Sequence, residues 1–140
     1  MKLKYLLDSD VFSLMVKGTD EAINLRLETL AKGEATLSVI TTGEFFYGVA
    51  HSPISALRTK RAQRLIDFYG VMPMGEDVSA VYGQIRADLR AKGTPIGPND
   101  LWLAAQAKAH KAFKARKEIV LCAGSVGSPS ILQRYLWQHR

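Results

Sequence analysis

The sequence has 140 residues, of which 47% are hydrophobic and 23% are charged, a balance typical of soluble globular proteins. Its length favours one domain with a sizeable core. No stretch approaches the roughly 18 to 20 continuous apolar residues that a membrane-spanning helix requires, and residues 1–5 do not resemble a signal peptide. The single cysteine, Cys122, excludes an internal disulfide and a multi-cysteine metal site. We therefore expect a cytoplasmic protein with no membrane contact.

The chain is basic, with a net charge of +6. A positive charge favours polyanionic partners such as RNA or DNA. Much of the excess lies in a run near the end of the chain, which comprises Lys108, Lys111, Lys114, Arg116 and Lys117. A solvated helix face explains that run equally well. The charge thus indicates a nucleic-acid partner without proving one.

An acidic tripeptide follows the first predicted strand. Residues 3–7 are mostly apolar and predict a short buried strand, and Asp8, Ser9 and Asp10 come directly after it. Ligands bind at the carboxyl edge of open parallel sheets. Carboxylates at this position are therefore candidate site residues.

Glu44 follows the second predicted strand, which β-branched and apolar residues indicate at residues 36–40. Thr41 and Glu44 fit the capping-box pattern, in which the threonine caps a helix and the glutamate returns to its backbone. That pattern accounts for Glu44 without any chemistry. Glu44 nevertheless lies just beyond a strand, as Asp8 does, so both interpretations stay open.

The other elements alternate between helices and strands. Helices are predicted for residues 11–16, for a segment capped by Thr19 or Asp20, for a segment that opens at Pro53, for residues 76–92, and from Asn99 towards Phe113. Further strands are predicted at residues 71–74, near a sheet edge, and at residues 119–122. This alternation predicts an α/β fold, an α/β/α sandwich around a mainly parallel sheet of four to five strands, in a single domain of residues 1–140.

Asp100 belongs to a stiff turn that opens the last of these helices. Residues 93–98 contain two glycines and two prolines, and an apolar run follows at helical spacing. A helix that begins close to Asn99 places the Asp100 carboxylate near unpaired backbone N–H groups and the positive end of the helix dipole. The alternative is that Asn99 or Asp100 only caps the helix, which is the favoured interpretation of an isolated Asp.

Three acidic residues, Asp8, Glu44 and Asp100, thus fall at equivalent places. The carboxyl ends of parallel strands and the starts of the following helices share one edge, so the three carboxylates can meet there. Like charges in one cleft need a cation, and oxygen ligands without His or Cys point to Mg²⁺ or Mn²⁺. Such a metal activates water and stabilises the charge that develops during phosphodiester cleavage.

Three segments also resemble a known family: LLDSD at residues 6–10, ITTGEFFYGV at residues 40–49 and GTPIGPNDL at residues 93–101. They are similar to the hallmark segments of PIN-domain ribonucleases, above all the VapC-like toxins of bacterial toxin–antitoxin pairs. The resemblance implies a PIN-like fold and a metal-dependent endoribonuclease that cleaves RNA, forms a homodimer and is inhibited by a cognate antitoxin. It assigns the acidic roles to Asp8, Glu44 and Asp100.

The resemblance also suggests supporting residues. Ser9 matches a hydroxyl residue often found beside the first acid, and Asp10 stands where such proteins often have Asn, where it could help to hold a water. Asn99 is a further candidate because it precedes Asp100. Family members usually carry a fourth polar or acidic ligand after the last strand, and Ser125 is the nearest polar substitute here.

The end of the chain departs from the family pattern, with no carboxylate after Glu118. Residues 115–132 are instead similar to a short segment of FAD-dependent glucose–methanol–choline oxidoreductases. The chain has no GxGxxG after its first strand and is too short for that fold, so flavin binding does not follow. We interpret residues 114–140 as an atypical tail that replaced the original one through a gene rearrangement or frameshift.

We predict a Mg²⁺- or Mn²⁺-dependent endoribonuclease that serves as the toxin of a toxin–antitoxin pair. One alternative is a catalytically weakened PIN-fold module that pairs with an antitoxin without efficient cleavage. The missing last acid favours that alternative, and the three intact acids disfavour it. In a second alternative the acids only cap helices, and the fold has an unrelated function.

Overall fold

Three strands and six helices make up the part of the chain that the structure describes. The computed structural model describes residue 3 and residues 5–110. The strands are β1 (Tyr5–Leu7), β2 (Ala35–Ser38) and β3 (Val71–Met72). The helices are α1 (Ser9–Lys17), α2 (Glu21–Glu28), α3 (Val39–His51), α4 (Ala56–Tyr69), α5 (Val78–Ala91) and α6 (Pro98–Ala109). None of these helices has the length and apolar character needed to cross a lipid bilayer.

The strands form one parallel sheet in the order β1-β2-β3. Tyr5 pairs with Ala35 and Leu7 with Leu37, and Leu37 pairs in turn with Val71. Because the strands run in the same direction, their carboxyl ends lie along one side of the sheet, the carboxyl edge. The predicted parallel sheet is confirmed for these strands. The strand predicted at residues 119–122 and the extension of the last helix to Phe113 lie outside the described residues, so the single domain of residues 1–140 stays a prediction.

Helices cover both faces of the sheet. Successive side chains of a strand point to opposite faces. Tyr5 and Leu7 of β1 therefore pack on one face, in a core that includes Phe12 of α1. Leu6 points to the other face and packs against Leu103 of α6. This arrangement is the predicted α/β/α sandwich.

A second core lies between α5 and α6. Ile85 and Leu89 of α5 are buried together with Leu101 of α6. Beside them the rings of Tyr82 and Trp102 stack with their centroids 3.8 Å apart. The stacking joins the second turn of α5 to the second turn of α6.

Side chains cap four of the six helices in the described part of the chain: α1, α2, α3 and α4. Of the two candidates for α2, Asp20 is the cap. The prediction that a helix opens at Pro53 is wrong, because α4 begins at Ala56. Its cap is Ser55, whose Oγ accepts a hydrogen bond from the backbone N–H of Arg58 at 3.2 Å. The Ser55 hydroxyl accepts a hydrogen bond from an N–H group of the first helical turn, whereas the side chain of proline has no acceptor for such a bond.

A buried glutamine joins α6 to the ends of two strands. Gln106 has no exposed surface, and its Oε1 accepts a hydrogen bond from Ser38 Oγ at 2.6 Å. Its Nε2 donates to the carbonyl oxygens of Met72 and Pro73 at 3.2 and 3.1 Å. Ser38 ends β2 and Met72 ends β3, so these bonds fix α6 at the carboxyl edge.

We expect Gln106→Leu to lower the free energy of unfolding by about 1–3 kcal/mol, because the buried Ser38 hydroxyl loses its acceptor and the carbonyl oxygens of Met72 and Pro73 lose a donor. Urea denaturation followed by circular dichroism measures the change. Gln63→Leu is the matched control, since Gln63 is exposed and donates to Asp67 within α4 at 2.9 Å. The control should change stability by less than about 0.5 kcal/mol. Equal losses in the two variants would contradict a special role for the buried bonds.

Candidate active site at the carboxyl edge

Asp8 lies directly after β1 and caps α1. Its Oδ1 accepts a hydrogen bond from the backbone N–H of Val11 at 2.8 Å, and the residue is half-buried. A carboxylate offers about four lone-pair sites, so capping does not exclude a second role in metal binding. Asp10, the other predicted acid of this segment, is exposed in the first turn of α1.

Glu44 does not belong to a capping box. α3 begins at Val39, within the segment predicted as the second strand. Its cap is Ser38, whose Oγ accepts a hydrogen bond from the backbone N–H of Ile40 at 3.0 Å. Thr41 therefore lies inside the helix, and the capping-box interpretation is wrong.

Thr41 instead joins α3 to β1. Its buried hydroxyl donates a hydrogen bond to the carbonyl oxygen of Leu7 at 2.9 Å. Leu7 is the residue before Asp8, and Glu44 follows Thr41 by three residues, about one helical turn on the same side of α3. The bond therefore places the half-buried Glu44 at the carboxyl edge, close to the element that carries Asp8.

Asp100 is the third residue of α6 and is not its cap. The helix begins at Pro98, which suits the first helical position because proline lacks an N–H. Gly97 is the cap residue, without a side-chain hydrogen bond. The alternative in which Asn99 or Asp100 is the cap is therefore wrong. Asn99 is exposed and Asp100 is half-buried.

The packing of α6 directs Asp100 towards β1. Leu103 and Ala107 pack against Leu6 of β1, with Ile40 of α3 beside them. They follow Asp100 by three and seven residues, so Asp100 lies on the same helix face, nearer the helix start. The helices α1, α3 and α6 thus all pack against β1, and each carries one of the three acids: Asp8 as the cap of α1, Glu44 in the second turn of α3 and Asp100 in the first turn of α6.

The donors at this edge are chemically suited to a hard cation. Asp8, Glu44 and Asp100 offer oxygen atoms, which Mg²⁺ and Mn²⁺ prefer. Among residue 3 and residues 5–110, however, no three Asp, Glu, His or Cys side chains stand close enough together to hold a metal ion. The three-carboxylate metal site therefore stays a prediction.

Ser9 adds an independent observation at the same edge. Within the described part of the chain its Oγ is buried and has no hydrogen-bond partner. Leaving a buried hydroxyl unsatisfied costs about 1–3 kcal/mol. Such an atom, directly after Asp8, is a donor or acceptor for a bound water or cation. Ser125, the predicted substitute for a fourth ligand, lies outside the described residues.

Sequence patterns did not reveal the residues that assemble this edge. Thr41 and Gln106 contact residues 34 and 68 positions away in the chain. For Gln106 a signal existed, because it is a polar residue within the apolar run of α6. For Thr41 the local signal pointed to helix capping instead.

Two relatives illustrate what this chain is similar to. The tRNA(fMet)-specific endonuclease VapC of Salmonella typhimurium is 31% identical over 105 residues, which cover 75% of this chain and 79% of that protein. Toxin FitB of Neisseria gonorrhoeae is 29% identical over 120 residues, which cover 81% of this chain and 86% of that protein.

Solved structures with the same fold include toxin–antitoxin complexes. VapBC2 from Rickettsia felis, bound to a DNA fragment from its promoter, superposes with a TM-score of 0.71 at 27% identity, covering 79% of this chain and 84% of that chain. FitAcB from Neisseria gonorrhoeae superposes with a TM-score of 0.66 at 29% identity, covering 76% of this chain and 82% of that chain. The PIN domain family itself matches residues 5–115, a span that includes all three acids. The chain therefore belongs to the PIN domain family.

Proposed function

We propose that this protein is a metal-dependent endoribonuclease that acts as the toxin of a toxin–antitoxin pair. One observation carries the proposal: Asp8 caps α1, and Glu44 and Asp100 lie in the first two turns of α3 and α6, three helices that all pack against β1. The chain belongs to the PIN domain family, and relatives named as endonucleases and ribonucleases support RNA as the substrate.

In this proposal the three acids hold Mg²⁺ or Mn²⁺. The bound cation supplies an activated water and neutralises charge on the phosphate that is attacked. Asp8 and Asp100 are the principal ligands, and Glu44 either binds the metal or orients the attacking water. Ser9 satisfies its buried hydroxyl by binding a water at the same place, and Asp10 and Asn99 hold further water from the exposed side.

A cognate antitoxin is the proposed protein partner. The similar structures of VapBC2 and FitAcB are complexes of this kind, which supports the proposal. A homodimer and a cytoplasmic location, where cellular RNA is found, belong to the same proposal.

We expect the antitoxin-free protein to cut total cellular RNA at discrete sites with Mg²⁺ or Mn²⁺ but not with EDTA. Asp8→Asn should lower the cleavage rate about 100-fold or more, because an amide is a far weaker ligand for a hard cation. Asn is also a good helix cap, so the variant should keep α1 intact. Asp67→Asn removes an exposed carboxylate on α4 and should keep the wild-type rate.

Cleavage that persists in Asp8→Asn would contradict the assigned site. A folded protein that binds Mn²⁺ and a cognate antitoxin but cuts no RNA would contradict the enzyme and support the weakened binding module.

Metal binding should also be measurable without RNA. At a free Mn²⁺ concentration of about 100 times the dissociation constant, we expect the free energy of unfolding to rise by about 2.7 kcal/mol. Asp100→Asn should abolish most of this increase, whereas Asp67→Asn should retain it. Urea denaturation with and without Mn²⁺ measures the difference, and an equal response in all three proteins would refute a metal site at Asp100.

Ser9→Ala separates metal binding from folding. Because the Ser9 hydroxyl is buried without a partner, its removal should leave the metal-free stability unchanged or raise it by up to about 1 kcal/mol. Loss of a group that supports the metal site should weaken Mn²⁺ binding about tenfold. Isothermal titration calorimetry measures the affinity, and unchanged binding would exclude Ser9 from the site.

A further inference from the structure

A cavity of about 550 Å³ lies between the end of α5, the connection at residues 92–97 and the start of α6. Sites for small ligands have volumes of roughly 300–1,000 Å³, so the space is large enough for one. None of the residues assigned above to metal binding or catalysis lines it. It is therefore distinct from the acidic site, although it lies on the same helix start.

The inner wall of the cavity is apolar. Leu89 and Leu101 are buried and Ile96 is partly buried, and all three belong to the core between α5 and α6. Pro95 and Pro98 continue the apolar lining at the exposed side. Such a surface suits the face of a nucleobase, which packs well against apolar and aromatic side chains.

Two arginines line the same cavity on its exposed side. Arg86 and Arg90 are four residues apart on α5, so they lie on one face of the helix. Arg86 Nη1 donates a hydrogen bond to the Tyr82 hydroxyl at 3.4 Å, and the Tyr82 ring is held by its stacking on Trp102. Guanidinium groups match phosphate in both charge and geometry.

The cavity adjoins the acidic site. Pro98 and Leu101 line it, and Asp100 lies between them in the first turn of α6. The chain reverses after α5 at Gly93, whose φ of +68° is a conformation that glycine adopts without strain. This reversal places the second half of α5, with Arg86 and Arg90, along the same cavity as Pro98 and Leu101 of the helix that carries the acid.

We propose that the cavity binds one unpaired nucleotide of the RNA substrate, beside the phosphodiester bond that is hydrolysed at the acidic site. The base packs on Leu89, Ile96 and Leu101, and Arg86 and Arg90 bind the adjoining phosphate. This inference rests on the proposed ribonuclease function. Charge complementarity favours RNA over a second copy of this basic chain, which would bring its own arginines into the contact.

The phosphate contact is tested by fluorescence anisotropy with a fluorescein-labelled RNA hexanucleotide of mixed sequence, in EDTA so that no cleavage occurs. Arg90→Ala should weaken binding about fivefold and reduce the slope of log Kd against log salt by about 0.7, the value for one phosphate contact of a single strand. Lys32→Ala is the matched control, because Lys32 precedes β2 at the opposite edge of the sheet. It should leave the slope unchanged, and equal slopes in both variants would overturn the proposal.

The base contact is tested by photo-crosslinking of the same hexanucleotide containing 4-thiouridine. Crosslinks should map by mass spectrometry to residues 82–101, and Ile96→Glu should remove them, because it places a negative charge in the cavity. Circular dichroism establishes that the variant is folded. Crosslinks that map elsewhere, or that survive in a folded Ile96→Glu protein, would overturn the proposal.

The experiments distinguish failure of the proposed nucleotide site from failure of the proposed ribonuclease function. If Arg90→Ala and Ile96→Glu bind RNA normally and cleavage still depends on Asp8, only the proposed nucleotide site is overturned. Crosslinks in the cavity without any RNA cleavage would support the nucleotide site and contradict the proposed ribonuclease activity. If Arg90→Ala or Ile96→Glu changes the oligomeric state in analytical ultracentrifugation but not the RNA affinity, the cavity belongs to a contact between two copies of the chain. That result would overturn the nucleotide site.

Discussion

Backbone carbonyl groups at the carboxyl ends of short strands have no further ladder partner, and when buried they must find donors elsewhere. In this protein side chains from two helices supply those donors. Thr41 of α3 donates to the carbonyl of Leu7, and Gln106 of α6 donates to those of Met72 and Pro73. The position of each helix is thereby set relative to the sheet. The grouping of the acidic elements around β1 follows from this requirement more than from any attraction among the acids themselves, since like charges repel.

Much of the fold could be predicted from the sequence, because its signals are local. The apolar strand before Asp8, the alternation of strands with helices and the Gly–Pro turn before Asp100 are all readable within short windows, and the parallel sheet follows from their order. The same reasoning predicts that the three acids share one edge of the sheet, and their joint metal site stays a prediction. Helix starts are harder to predict. Ser38 both ends β2 and caps α3, so the predicted strand of residues 36–40 extends two residues beyond the observed carboxyl end of β2.

The connections that assemble the site could not be predicted, because they join residues far apart in the sequence. Thr41 and Glu44 have the spacing of a capping box, and nothing in that window distinguishes a local cap from a bond to a strand 34 residues earlier. The start of α6 differs from the expectation because Pro98 occupies the first helical position and Gly97 is the cap, so Asp100 lies inside the helix. Residues 111–140, with the predicted last strand and Ser125, lie outside the described structure, and the family match ends at residue 115.

The observed capping role of Asp8 and its proposed role in metal binding together have an evolutionary consequence. Its carboxylate caps α1 through one hydrogen bond, and Asn makes the same cap with little change in stability. A single-base change in an Asp codon produces Asn. Selection for a stable fold therefore gives this position no protection against loss of its charge, and only selection for activity does. Under the proposed function, a harmless yet well-folded descendant of the toxin, still able to occupy its antitoxin, lies one mutation away.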